Sequence, residues 1–270
     1  YPILPDPTPV RQADLLLLES TYGNRLHESP EETRRNLADV INRSVERGGV
    51  LLVPAFAVGR TQTLLYLLRE LEDAREIPQL PIIVDSPMAV SVCRFYQSHT
   101  EDHDEEAQQM TRRSKRALYP ARMQYSSTVE ESKALNEISS AAIIISASGM
   151  MTGGRVLHHA RRRLPDRRNT ILLVGYQAEG TRGRDLEQGR PELKIFGEQV
   201  AVKAEVARVD GLSAHADAQE IMRWLGCFEQ PPGSICLVHG EPQASGDLAE
   251  RIRQAGWPVR VPRLLEHAVI

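Results

Sequence analysis

In Gly211-Leu212-Ser213-Ala214-His215-Ala216-Asp217-Ala218, small residues surround one histidine. Such neighbours let the His215 imidazole stand clear and meet something bulky or charged, a metal ion being one reading of that ring and an ordinary loop or core histidine the other. Ser213 and Asp217 are placed to hydrogen-bond its second nitrogen or the surrounding loop. Asp217 equally suits the N-cap of a helix over "AQEIMRWL". Four other points gather small, polar and charged residues: Glu19-Ser20-Thr21-Tyr22-Gly23, Pro54 to Arg60, Asp85-Ser86-Pro87-Met88, and Ser146-Ala147-Ser148-Gly149-Met150 followed by Thr152-Gly153-Gly154-Arg155. A small-residue turn running into a helix exposes backbone N–H groups and makes an anion site. Ser146, Ser148, Gly149, Thr152, Arg155 and Arg60 are therefore the candidate phosphate contacts. Arg161, Arg162 and Arg163 either extend that patch or form a solvated helix face. His99 and His103, four residues apart in "SHTEDHDEE", read as a solvated acidic face.

These residues sit at the ends of recognisable elements. "ADLLLLES" (13–20), "GGVLLVPAFAV" (48–58), "LPIIVDS" (80–86), "AAIIISAS" (141–148) and "TILLVGYQ" (170–177) are apolar on both faces, as buried parallel strands must be. "VAVKAEVARVD" (200–210) reads as one further strand. Between them, "SPEETRRNLADVINRSVERG" (29–48) has a capping start at Ser29-Pro30, acids in its first turn and a glycine stop. "GRTQTLLYLLRELEDA" (59–74) and "SPMAVSVCRFYQSH" (86–99) read as helices in the same way. The alternation predicts a doubly wound α/β sheet, in which ligands gather at the carboxyl ends of the strands.

Composition narrows the class. A chain of 270 residues that is 41% hydrophobic can bury a full core, as one large domain or two smaller ones. With 33 Lys+Arg against 36 Asp+Glu, a polyanion must be gripped by a local patch rather than by global charge. The three cysteines have no paired spacing, which argues against a disulfide framework and for reduced, buried thiols in a cytoplasmic protein. No apolar run approaches the roughly 20 residues of a membrane span. Four prolines in the first ten residues suit a connecting loop, the expectation being a piece of a longer protein.

The ordered strings "ADLLLLESTYGNR", "PAFAVGRTQ", "VDSPMA", "SASGMMTGGR", "LVGYQAEGTRGR", "GLSAHAD" and "VHGEP" strongly resemble the β-CASP branch of the metallo-β-lactamase superfamily, nucleases that process RNA and, in some members, DNA. The resemblance runs from about Ala13 to Glu241. It implies a partial metallo-β-lactamase αββα sandwich with an inserted Rossmann-like β-CASP domain. Residues 1–23 would end the first metallo-β-lactamase half, 24–183 form the insertion, and 184–270 form the C-terminal part.

The same resemblance implies two zinc ions held by a His-x-His-x-Asp-His motif, a further histidine, a bridging aspartate and a last histidine in a Ser-Ala-His context, here His215. No His-x-His-x-Asp-His occurs in this sequence. The expectation is that the missing ligands belong to an N-terminal half supplied in cis or in trans, and that this chain alone neither retains the zinc nor cleaves. Glu19 matches an acidic residue that pairs with a histidine and helps protonate the leaving group. In many members that histidine follows Glu-Gly-Thr, where "AEGTRGRDL" has Asp185; the consecutive His158 and His159 either stand in or serve as surface and packing residues of a helix. His239, in "VHGEP", is implied near the active face, hydrogen-bonded to the loop or touching phosphate. The implied partner is single-stranded RNA, bound through its phosphate backbone, and a homodimer is compatible with the pattern. Two other readings stay open: a nucleic-acid-binding module without catalysis, or a transferase or nucleotide-binding α/β protein. The latter lacks a Gly-x-Gly-x-x-Gly or P-loop fingerprint.

Overall fold

A computed structural model of the chain describes residues 2–113 and 118–267. The chain divides into two compact units, Tyr1–Pro5 with Glu28–Ala214, and Asp6–His27 with His215–Ile270. It lays down β1 (Leu15–Glu19) in the smaller unit and then builds the larger one. There the order is α1 (Pro30–Glu46), β2 (Val50–Pro54), α2 (Arg60–Asp73), β3 (Ile82–Asp85), α3 (Pro87–Ser98), α4 (Glu105–Arg113), β4 (Met123–Ser126), α5 (Val129–Ala134), β5 (Ala142–Ser146), α6 (Arg155–Arg163), β6 (Thr170–Leu173), α7 (Arg182–Glu187), β7 (Glu192–Ile195), β8 (Glu198–Ala201) and β9 (Glu205–Arg208). The smaller unit resumes with α8 (Ala218–Leu225), β10 (Ser234–Val238), α9 (Pro242–Gln254) and β11 (Val259–Arg260).

The larger unit is the expected parallel sheet, in the order β4-β3-β5-β2-β6-β9. Alternate side chains of one strand enter opposite cores. Leu51, Val53, Ile143 and Ile145 join Leu37, Ile41, Leu65 and Leu68 from α1 and α2. Val50, Leu52, Ile144 and Ile171 join Val156, Leu157 and Ala160 from α6. Each such Leu, Ile or Val contributes roughly 1.5–3 kcal/mol on burial, so the apolar runs fix the strands as central. Ser29 and Glu32 form the capping box that starts α1, with Pro30 in the first turn.

The stretch 200–210 is not one strand. β8 pairs antiparallel with β7 in a separate ribbon, whereas β9 joins β6. The chain turns between them because the Lys203 and Ala204 amides both donate to Leu164 O, at 2.8 and 2.9 Å. That β6–β9 pairing also carries the compact unit past Gly183 to Ala214.

The smaller unit is a three-stranded parallel sheet, β1-β10-β11. Leu18, Ile235 and Leu237 pack with Ile221, Leu225, Leu248 and Ile252 of α8 and α9. Cys93 and Cys236 are buried as expected, but Cys227, in the turn after α8, is exposed. Among the described residues no helix is long and apolar enough to cross a membrane.

Candidate active site

In the smaller unit, β1 and β10 run side by side with Glu19 opposite Val238, so the residues after each strand emerge at one sheet edge. Glu19 Oε2 lies 2.8 Å from His215 Nδ1, and Glu19 Oε1 accepts the Ala216 amide at 3.3 Å. Thr21 Oγ1 donates to the carbonyl of His239 at 2.9 Å and lies 3.1 Å from His239 Nδ1 and 3.5 Å from His215 Nδ1. The two imidazoles face each other at 5.2 Å between centroids, tilted by 31°. His239 has φ +53°, the left-handed conformation that histidine adopts more readily than most residues.

Supporting bonds hold the loop on which His215 stands. His27 Nε2 donates to His215 O at 2.8 Å, and the His27 amide donates to Asp217 Oδ2 at 2.8 Å. Asp217 Oδ1 accepts the Glu220 amide at 2.8 Å, closing the capping box of α8. Both oxygens of Asp217 therefore serve backbone N–H groups, one capping α8 and one tying down the loop. Burial alone pushes the Glu19 carboxyl up, but hydrogen bonds from His215 and Thr21 outweigh it and hold the group below its usual value. Ligand atoms of Glu19, His215 and His239 all lie within 4.8 Å of one another. One carboxylate and two imidazoles are the donor chemistry of zinc, so the set fits that metal in kind.

The strand ends of the larger unit are organised around a different residue. Asp85, at the end of β3, is wholly buried and accepts four side-chain hydrogen bonds. They come from Ser126 Oγ (2.7 Å), Ser132 Oγ (2.6 Å), His159 Nε2 (2.6 Å) and Arg155 Nη1 (2.8 Å). Burial raises its pKa, but the bonds from His159, Ser132 and Ser126 prevail and bring it to about 2. This network and the surrounding core engage several of the expected phosphate contacts within the fold. Ser146 is buried and donates to Asp85 O at 2.9 Å, while Arg155 also donates to the carbonyls of Ser126 and Ser127. Arg60 is buried in the first turn of α2.

In the same loop Gly149 is buried, Ser148 is half-buried and Thr152 is exposed. Ser148 Oγ accepts the Thr152 amide at 3.0 Å and lies 3.0 Å from the exposed Thr152 hydroxyl. Phe56, 44% exposed after β2, lies so close to Gly149 that a Cβ there would sit 2.8 Å from its ring. Val58 and Met88 are exposed beyond the ends of β2 and β3, the strands on either side of β5.

Other candidates fall outside both groups. Asp185, on α7 in the larger unit, pairs with Arg190 at 3.6 Å. Arg163 is buried and bonds the carbonyls of Ile138 and Leu135, and Arg161 pairs with Glu198, so the basic run is divided between scaffold and surface. His158 is exposed against Phe196. His103 is buried beside Tyr96 instead of solvated, because the Asp104 amide is tied to Ile3 O at 2.8 Å and draws the segment inward. Ser213 is buried.

Comparison with known proteins adds a chemical context. Residues 61–186 match the Beta-Casp domain, and residues 199–262 match the Zn-dependent metallo-hydrolase RNA specificity domain. The chain is 36% identical over 264 residues to Ribonuclease TTHA0252 of Thermus thermophilus, covering 98% of this chain and 60% of that protein. It is 34% identical over 269 residues to Transcription termination factor FttA of Pyrococcus horikoshii, with 94% of this chain and 40% of that protein covered. To an RNase J-like protein of Methanocaldococcus jannaschii it is 30% identical over 252 residues, with coverage of 93% and 57%. The chain thus spans less than two thirds of each of these relatives.

Proposed function

The chain belongs to the β-CASP branch of the metallo-β-lactamase superfamily, and from that premise we propose that it serves zinc-dependent hydrolysis of phosphodiesters in single-stranded RNA. The Glu19–His215 contact at 2.8 Å carries the reading. The family pattern asks for a histidine beside this acid to protonate the leaving oxygen, and the position after Glu-Gly-Thr offers only Asp185. His215 is that histidine. With Nδ1 on the carboxylate, the proton it gives up leaves from Nε2, while Glu19 orients the ring and stabilises its charged form.

His239 then takes the ligand role first expected of His215. Bound zinc would polarise the phosphate and lower the pKa of its water. Two ions need about four ligands each, so further donors come from a segment joined in cis or in trans. On the RNA side, the Ser148 and Thr152 hydroxyls meet the backbone, and the exposed Phe56 ring offers a base a stacking surface.

A carboxylate that orients a zinc-bound histidine would have the same Glu19–His215 geometry, so the ligand role of His215 is the competing reading. Two variants of the full-length protein separate them. His215→Ala should keep its zinc and lose cleavage by roughly 10²–10⁴-fold, whereas His239→Ala should lose zinc and cleavage together. Zinc lost from His215→Ala would restore the competing reading. Unchanged turnover in His215→Ala would overturn both.

A further inference from the structure

We propose that Thr21 is a positioning residue: it holds neutral His239 as the Nδ1–H tautomer, so that Nε2 carries the lone pair a zinc ion takes. The inference rests on the ligand role given to His239 above. Its basis is the count of protons on one hydroxyl. Thr21 is buried, with Oγ1 2.9 Å from His239 O, 3.1 Å from His239 Nδ1 and 3.5 Å from His215 Nδ1.

A threonine hydroxyl has one proton to give and two lone pairs to offer. A carbonyl oxygen can only accept, so the proton goes to His239 O. The Glu19 carboxylate, the other group that draws on this hydroxyl, also only accepts. Whichever oxygen takes the proton, Oγ1 faces the imidazoles as an acceptor. An acceptor beside Nδ1 selects the N–H form at that nitrogen and leaves Nε2 bare. Glu19 Oε2 makes the same demand on His215 Nδ1, so one threonine and one carboxylate set both rings alike.

Two further features make the arrangement specific. The β-branch of threonine restricts χ1, which keeps the hydroxyl aimed without help from a third residue. The left-handed backbone of His239 brings its own carbonyl and its own Nδ1 to the same oxygen, so the residue's main chain and ring are fixed by a single partner. Removing that oxygen frees the ring to take the Nε2–H form, which offers a metal no lone pair from that nitrogen.

The test uses the full-length protein with ¹⁵N-labelled histidine, metal-free, at about pH 8, above the ordinary histidine pKa. Imidazole ¹⁵N shifts should show His239 protonated at Nδ1 in the wild type and in Thr21→Ser, and a mixture or the Nε2–H form in Thr21→Val. Zinc affinity, read by competition with a chromophoric chelator, should fall about 10- to 100-fold in Thr21→Val, the usual loss on removing a group that orients a ligand. Thr21→Ser should stay close to wild type. An Nε2–H His239 in the wild type, or equal zinc affinity in Thr21→Val, would overturn the proposal. A wild type that shows Nδ1–H His239 yet binds no zinc would sink the ligand role assigned earlier while supporting Thr21's hold on the ring.

Discussion

Replacing Asp85 by asparagine keeps the shape of the side chain and removes what its four donors need. The carboxylate shares itself evenly, Oδ1 taking Ser126 and Arg155, and Oδ2 taking Ser132 and His159. An amide retains one accepting oxygen and turns an NH2 toward the other two donors. Losing two hydrogen bonds to a charged group costs about 3–6 kcal/mol before relaxation. An independent route gives a lower figure, because a pKa of about 2 against the ordinary 3.8 corresponds to about 2 kcal/mol. The lower route counts only the ionised form's advantage and omits the donor–donor clash, so about 3 kcal/mol is expected.

For a unit of this size that is a fall in Tm of about 6–12 °C. The folded pKa is depressed, so the stabilisation is complete above the ordinary carboxylate value and is lost as pH falls toward 2. Urea unfolding of wild type and Asp85→Asn, followed near neutral pH and then through the acid range, should show a gap that narrows on acidification. A gap below about 1 kcal/mol near neutrality, the scale of an ordinary surface change, would refute the reasoning. So would a gap that stays constant with pH.

Two other perturbations probe the strand-end surface. Arg155→Met should lower stability while leaving the salt dependence of RNA binding unchanged, because its guanidinium is engaged by Asp85 and two carbonyls; a slope reduced by about 0.7 would return it to the phosphate contacts. Phe56→Ala should weaken binding of a single-stranded oligonucleotide by about 1–3 kcal/mol and leave an abasic strand of the same length unaffected, and an equal loss on both strands would exclude stacking.

The central strands and the α1 cap were readable from sequence because each is local: an unbroken apolar run can only be buried on both faces, and Ser29 to Glu32 spells its own cap. Glu19 and His215 were each marked, but their pairing spans 196 residues and depends on how the loop before α8 lies against the end of β1, through the Tyr22–Asp217 bridge, which no local pattern encodes. Thr21 was passed over because a threonine at a strand end has no signal apart from what its oxygen touches.

Within the expected phosphate set, Ser146 and Arg155 are bonded to Asp85, a pairing that no local pattern announces. The available signal was a charge closing a wholly apolar strand, since a buried carboxylate must gather donors, and Arg155, assigned to the phosphate, is one of the four it gathers.

The smaller unit is made of two segments with Glu28–Ala214 of the larger unit between them. A random chain of about 200 residues pays about 5 kcal/mol to bring β1 and β10 together, which would leave the first strand a poor competitor for any other partner. The larger unit changes that arithmetic once it has folded. Its two ends meet, since a side chain at Gly211 would begin 3.2 Å from the carbonyl oxygen of Glu28. With that closure already made, the effective loop shrinks to about 30 residues and the remaining cost falls by about 2 kcal/mol. Sequence order thus bears on assembly: β1 precedes the larger unit's sheet and β10 follows it, so closing that sheet first lowers the cost of bringing His215 and His239 to Glu19.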